Sequence, residues 1–296
     1  MSDLLAVPNV SVAGDAAVLR RLGEAFGRSA RVLDVHTDFD HGRTVFTLVG
    51  TPGGLSDSLV AGAAEALESI DMSGYMGAHP AIGALDVCPV VWVREEDRAV
   101  ARTEAIAVAG QIGGIGLPVF LYGELARGPG RAERAYFRNG GLSELWLRME
   151  GGELRPDFGP SLPDPRGGAT LVTARPPLAA FNVELEGADL DAARVVAAEL
   201  REAGGGLPGV RALGLMLSSG RAQISTNVHD PLTTTLGTVV ETVRRLAVPL
   251  GARPVEAELV GLIPAAALVD YPADVPIRGF DPELHVIERR LAASSD

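Results

Sequence analysis

The stretch Asp34-Val-His-Thr-Asp-Phe-Asp-His-Gly-Arg-Thr44 places two histidines and three aspartates within eight residues of a chain that holds five histidines in all. Imidazole and carboxylate in this pattern can ligate a divalent metal, move protons in a catalytic wall, or end a strand in solvent, and the residues leave all three readings open. If the stretch continues as a strand, residues 36, 38 and 40 share one face, which would let His36 and Asp38 address the same ligand. A second candidate is His79 in Gly77-Ala-His-Pro-Ala-Ile-Gly-Ala-Leu-Asp-Val-Cys-Pro89. The following proline biases its backbone to an extended form just ahead of an apolar strand. Near neutrality such an imidazole can both accept and donate a proton, which suits a transfer in which one amine attacks and another leaves; it can equally be a turn histidine that bonds backbone carbonyls.

Composition narrows the chemistry around these groups. All 26 basic residues are arginine, so Schiff-base and pyridoxal phosphate catalysis and the Walker A cradle, each of which needs a lysine amine, are excluded. A formal charge of -12 with 5% aromatic residues argues against nucleic acid and anionic membranes as partners. The single cysteine, Cys88, permits neither an internal disulfide nor a CxxC site and is expected to be a buried thiol. The start, Met1-Ser-Asp-Leu-Leu-Ala-Val-Pro8, lacks the features of a signal peptide and no apolar run is long enough to span a bilayer, so a cytoplasmic protein is expected.

These residues must be held by elements that the apolar periods predict. Strands are expected at 4–7, 31–37, 44–50, 83–93 and 119–122, with helices at 14–27, 55–70 and 97–112. The order β-α-β-β-α-β, followed by a further helix and strand, fits an α+β (α/β sandwich) architecture: a ferredoxin-like lobe with a mixed sheet and helices on one face. The theme returns with strands at 179–185, 210–217, 221–227 and 257–262 and helices at 190–203 and 233–248. Two ferredoxin-like lobes, residues 1–176 and 177–296, are therefore expected, with the residues beyond Asp270 packing over the second. Between the repeats, the proline- and glycine-rich run 156–168 forbids a regular element and is read as an ordered loop or a plain linker.

Several short motifs resemble the glutamate formimidoyltransferase family, the transferase part of formimidoyltransferase-cyclodeaminase. They are Val7-Pro-Asn9, Arg43-Thr-Val-Phe-Thr-Leu-Val-Gly50, Ile70-Asp-Met-Ser73, His79-Pro80, Gly83-Ala-Leu-Asp-Val-Cys-Pro89 and Pro118-Val-Phe-Leu-Tyr-Gly-Glu124. Pro156-Asp-Phe-Gly-Pro160, Ala179-Ala-Phe-Asn182, Ala222-Gln-Ile-Ser-Thr-Asn227 and Leu259-Val-Gly-Leu-Ile-Pro264 continue the likeness in order along nearly the whole chain. The resemblance implies a homodimer whose two lobes hold folate in a groove, with tetrahydrofolate as co-substrate, no metal, and transfer of a formimidoyl group from N-formimidoylglutamate to N5. One histidine, matched by His79, would then take the proton from the attacking nitrogen and return one to the leaving nitrogen.

By the same resemblance, Gly159, Pro160, Ser161, Leu162, Pro163, Asp164, Pro165, Arg166, Gly167 and Gly168 match the folate-binding segment, and Asn182 would also contact the pterin. Arg43, Arg166 and Arg175 stand beside matching motifs and are candidate carboxylate clamps, with Asn227 as a further substrate contact. The chain departs from the pattern in three places: His36 stands where the family has an acid, Ala78 where an acid is common, and Ala81 where arginine is usual. Asp38 or Asp40 is the expected replacement carboxylate near His36. The departures leave two alternatives open, a relative with altered donor specificity and a folate binder that has lost catalysis. A metal-dependent hydrolase built on His36, Asp38, Asp40 and His41 is a third.

Overall fold

A computed structural model describes residues 3–75, 77, 80–162 and 164–293. The chain divides into two compact units, Met1–Pro176 and Pro177–Asp296. The first contains β1 (Leu4–Ala6), β2 (Asn9–Val10), α1 (Ala16–Phe26), β3 (Arg31–Asp38), β4 (Arg43–Gly50), α2 (Gly54–Ser69), β5 (Leu85–Val91), α3 (Arg98–Gly114), β6 (Val119–Leu121), α4 (Ala135–Arg138), α5 (Gly141–Glu150) and β7 (Thr170–Arg175). β1 and β2 are one strand broken around Pro8, which has no N–H for the ladder; both halves pair antiparallel with β4 and β5. β3 pairs with the other edge of β4, and β7 and β6 extend the sheet past β5 in parallel.

Alternation along the strands builds two cores on this one sheet. Cys88, Val90, Val172 and Ala174 point into a core with α1, α2 and α3, where Leu22, Phe26, Leu59, Val108 and Ile112 meet them. Val18, Leu22 and Phe26 recur at helical spacing to make the buried stripe of α1, and Asp15 caps it by accepting from the amides of Ala17 and Val18 at 3.0 Å. Val87, Phe120 and Leu171 point the opposite way and are covered by Phe137 of α4 and Leu145 and Met149 of α5. The apolar period does not announce α4, α5 or β7. Only Leu145 and Met149 of α5 are buried, too sparse a stripe to read, and β7 follows directly on the glycine-rich loop.

The second unit comprises β8 (Ala179–Glu186), α6 (Leu190–Leu200), β9 (Val210–Met216), β10 (Ala222–Val228), α7 (Leu236–Ala247), β11 (Arg253–Val260), α8 (Pro282–His285) and α9 (Ile287–Ala292). Its sheet order, β11-β8-β10-β9, is that of a ferredoxin-like βαββαβ unit. Every pairing is antiparallel, so this sheet is not mixed as the first one is. Phe181, Val183 and Ile224 meet Val196, Leu200, Val240 and Val243 of its two long helices. Beyond Asp270 the chain packs back on this lobe: Val275 and Val286 are buried, and Ile277 and Val286 form bridges with Ala257 and Ile263. The protein is α+β, with two lobes each built on a ferredoxin-like frame.

A buried carboxylate fixes the start of α2. Gly53 precedes that helix at φ +86° and offers no side-chain cap. Glu104 of α3 accepts instead from the amides of Gly53 and Ser56 and from Ser56 Oγ, at 2.8, 2.9 and 2.7 Å. A negative charge is thereby laid on a helix N-terminus from a neighbouring helix. Glu104→Ala leaves these donors without an acceptor and is expected to lower stability by about 2–4 kcal/mol in urea denaturation, with Glu104→Gln milder because it keeps an acceptor oxygen.

Candidate functional site

The register of β3 on β4 sets one wall. Asp38 faces Arg43 and His36 faces Val45 across the ladder, which puts His36, Asp38 and Arg43 on one face of the sheet. Asp40 lies past the end of β3 in the turn, exposed, and so does not join His36 and Asp38 on that face. Asp38 is committed to the turn: its carboxylate accepts from the His41 amide at 2.9 Å and pairs with His41 Nδ1. Tyr75 Oη donates to His41 O at 3.0 Å, and a Cβ at Gly42 would stand 2.7 Å from the Cα of Gly77. Tyr75 and Gly77 are thus packed onto this turn. Ala78 and His79, the sequence candidate for the acid–base role, lie outside the described residues, as does Pro163.

A set of guanidiniums dominates this face. A bulge in β5 at Asp86, where Asn9 pairs with Val87 and Val10 with Leu85, sends the Asp86 carboxylate to the side on which α4 lies. There it pairs with Arg138, while its other oxygen accepts from the Ile82 amide at 2.9 Å. Burial lowers the guanidiniums of Arg43 and Arg134; repulsion from Arg138 lowers both further, while Asp86 acts to raise them. Burial also brings Arg175, near Tyr122 and Arg134, down to about 10. Tyr75 sits among Asp86, Arg43, Arg138 and Asp38, and burial pushes its hydroxyl up to about 12.

Sequence reasoning had Arg43 and Arg175 but missed Arg134, Arg138, Asp86, Tyr75 and Tyr122. One signal was available: a lone carboxylate in the apolar run Leu85–Val91 must find a partner inside the protein. Arg166, the third expected clamp, instead pairs in solvent with Asp71, Nε to Oδ2 at 3.1 Å.

Residues Asp164–Ala169 at the end of the loop are bonded to Met72, Ile82 and Ala84, described residues on either side of His79 in the chain. Asp164 accepts from the amides of Arg166 and Gly167, an Asx turn, and its carbonyl accepts from Gly168 at 2.7 Å. Met72 N, Ala84 N and Ala169 N then bond to Arg166 O, Gly167 O and Ile82 O at 2.9 Å. A Cβ at Gly168 would lie 2.1 Å from Ile82 O, so only glycine fits there. Pro160, Ser161 and Leu162 are exposed. A depression of about 410 Å³ at the start of the loop is lined by Met149, Gly152, Arg155, Pro156, Gly159 and Ser161, none of them in the guanidinium set.

In the second lobe Asn182 and Asn227 share the face of the sheet turned away from α6 and α7, since Ser225 faces Asn182 and Asn227 faces Ala180. Asn182 Nδ2 donates to Glu258 Oε2 at 2.9 Å. Among the described residues no three of His, Cys, Asp and Glu converge as a metal site, and no helix is long and apolar enough to cross a membrane.

An α+β protein of two ferredoxin-like lobes, one bearing an arginine-rich face beside an ordered glycine–proline loop, is the class that fold and site define. The chain matches the formiminotransferase domain, N-terminal subdomain, over residues 4–175 and the formiminotransferase domain over 180–274. It is 33% identical to the glutamate formimidoyltransferase of Thermoplasma acidophilum, covering 100% of this chain and 99% of that one. It is 32% identical to that of Streptococcus pyogenes, covering 96% and 97%. With the formimidoyltransferase-cyclodeaminase of Sus scrofa the identity is 38% over 92% of this chain but 52% of the longer relative. The chain belongs to the formiminotransferase family and is a transferase.

Burial acts to raise the Asp38 carboxyl, but bonds from the His41 ring and amide and the charges of His41 and Arg43 outweigh it, leaving the carboxyl below its ordinary value. A carboxyl lowered on folding stabilises fully above its unfolded value of about 4, and that contribution is lost as pH falls through the folded value. Melting temperatures from pH 6 to 2.5 should therefore drop more steeply below pH 4 for the wild type than for Asp38→Asn. Parallel acid limbs would show that the pair does not form.

Proposed function

We propose that the protein transfers a formimidoyl group from N-formimidoylglutamate to N5 of tetrahydrofolate, with His79 as the proton-moving group. The observation that carries this reading is the arginine-rich face in an acidic chain, with Tyr75, four residues ahead of His79, set among those charges. Both substrates carry carboxylates, and a chain of net charge -12 must hold them with locally placed cations. The full-length likeness to relatives named glutamate formimidoyltransferase supports the same donor.

In this reading Arg43 and Arg175 bind donor carboxylates; Asn227 is carried as a substrate contact from the sequence alone. The loop Gly159–Gly168 holds the pterin substrate, with Pro160, Ser161 and Leu162 exposed ahead of its Asx turn, and Asn182 is carried as a pterin contact from the sequence alone. His79 takes a proton from the attacking nitrogen and returns one to the leaving nitrogen, which an imidazole that exchanges protons near neutrality can do in sequence. His36 and Asp38 form the adjoining wall, with Asp38 acting through its pair with His41. The working form is a cytoplasmic homodimer, a reading that rests on the family resemblance.

Purified protein given tetrahydrofolate and N-formimidoylglutamate is expected to form 5-formimidoyltetrahydrofolate, followed by absorbance. His79→Ala should lower kcat by about 10²- to 10⁴-fold while tetrahydrofolate binding, measured by fluorescence titration, is kept. The placement of His36 where the family has an acid favours one second reading, a folate-binding relative with altered donor specificity or no turnover. Retained folate binding with no product from the wild type would decide for it.

A further inference from the structure

Within the arginine cluster of the first lobe, Arg134 and Arg175 have no acidic ion-pair partner among the described residues although charged groups crowd around them. Arg138 is paired with Asp86, and Arg43 lies opposite Asp38. Among the described residues neither Arg134 nor Arg175 has a carboxylate in ion-pairing range, and the one bond from the Arg175 side chain goes to Pro176 O at 3.0 Å. Even counting the exposed Glu133 with Asp38 and Asp86, four guanidiniums face three carboxylates. Like charges brought together without compensation repel and destabilise the fold unless an anion joins them.

The fold holds these two side chains where they are. Arg175 ends β7 opposite Val91, two residues beyond Thr173 and four beyond Leu171 on the face that α4 and α5 cover. Arg134 caps α4 one turn ahead of Arg138, so the two share a side of that helix. Phe137 between them is pinned to the sheet, its ring 5.1 Å from that of Phe120, and Arg138 is tied to Asp86. The α4 backbone therefore cannot withdraw Arg134 from Arg175 and Tyr122 without breaking a buried aromatic contact and an ion pair. Planar guanidiniums held in this way suit carboxylates, which accept two N–H bonds each.

We infer that Arg134, with Arg175, grips the second carboxylate of a dicarboxylic donor and so sets a preference for a glutamyl over a monocarboxylic formimidoyl amino acid. Arg138 acts as a positioning residue, holding α4 through Asp86. This inference rests on the proposed transfer for its substrate but not for its binding measurement.

The experiment compares N-formimidoylglutamate with N-formimidoylglycine on the wild type, Arg134→Gln and Arg134→Lys, each first checked for an unchanged melting temperature. Arg134→Gln should raise KM for the glutamyl donor by about 10- to 100-fold, the loss of one charge-assisted carboxylate contact, with kcat and the glycyl donor little changed. Arg134→Lys should recover part of the difference. Equal KM values for wild type and Arg134→Gln on the glutamyl donor would overturn the inference. In parallel, millimolar glutarate should raise the melting temperature of the wild type but not of Arg134→Gln, a readout that needs no turnover. Absence of product from the wild type together with this glutarate effect would sink the proposed transfer and leave the dicarboxylate site standing. No glutarate effect on the wild type would remove the site.

Discussion

The first lobe depends on gathering arginine side chains onto one sheet face and keeping them there against their mutual repulsion. A chain with twelve more acidic than basic residues could neutralise such a cluster outright, yet few carboxylates reach it. Beside the exposed Glu133, Asp38 and Asp86 are the two described carboxylates that do, and each is anchored by a backbone amide, from His41 and Ile82 respectively, as well as by a side chain. A carboxylate fixed in this way supplies charge at a defined point without being able to follow a neighbouring guanidinium. The incomplete neutralisation is thus a property of backbone geometry, and it reserves room for a ligand's own negative charge.

The two devices that place those carboxylates are both departures from regular strand pairing. The β5 bulge sends Asp86 towards α4, and the turn after β3 folds His41 back onto Asp38. Glycine at 42 and 77 lets the turn and Gly77 itself approach to backbone contact. The same economy appears in the loop at 159–168, where one aspartate organises the turn and glycine at 168 admits the carbonyl of Ile82. Gly42 and Gly77, and the loop residues Arg166–Gly168 with Met72, Ile82 and Ala84, therefore meet through main-chain contacts, which a change of side chain at His36 or Ala81 would not dismantle.

Much of this frame was legible from periodicity. The strands and long helices of both lobes stand within a few residues of where alternation and the 3.6-residue stripe put them, as α1 with Val18, Leu22 and Phe26 shows. What stayed hidden was the α4–α5 pair and β7, and with them half of the charged cluster. Arg134 and Arg138 sit in a segment rich in arginine and glycine, where nothing separates a solvated charge from a buried one except a partner about fifty residues away in β5. Arg166 shows the contrast: its place in a family-like motif suggested a clamp, and the structure pairs it with Asp71 in solvent. Long-range pairing, which is what distinguishes the two arginines, leaves no trace in local spacing.

The Asp38–His41 pair bears directly on the departure at His36. If Asp38 simply replaced a missing acid two residues along the strand, its carboxylate would have to face the ligand with both oxygens available. Instead one oxygen takes the His41 amide and the other its ring, so the charge of Asp38 reaches the face already shared with a buried imidazole and Arg43. A carboxylate used in this way can still offset Arg43 and orient the turn, but it is a weaker partner for a developing amidinium than an uncommitted one. Asp38 therefore does not offer an uncommitted carboxylate beside His36, and in the proposed transfer any acid needed at that wall would have to come from elsewhere.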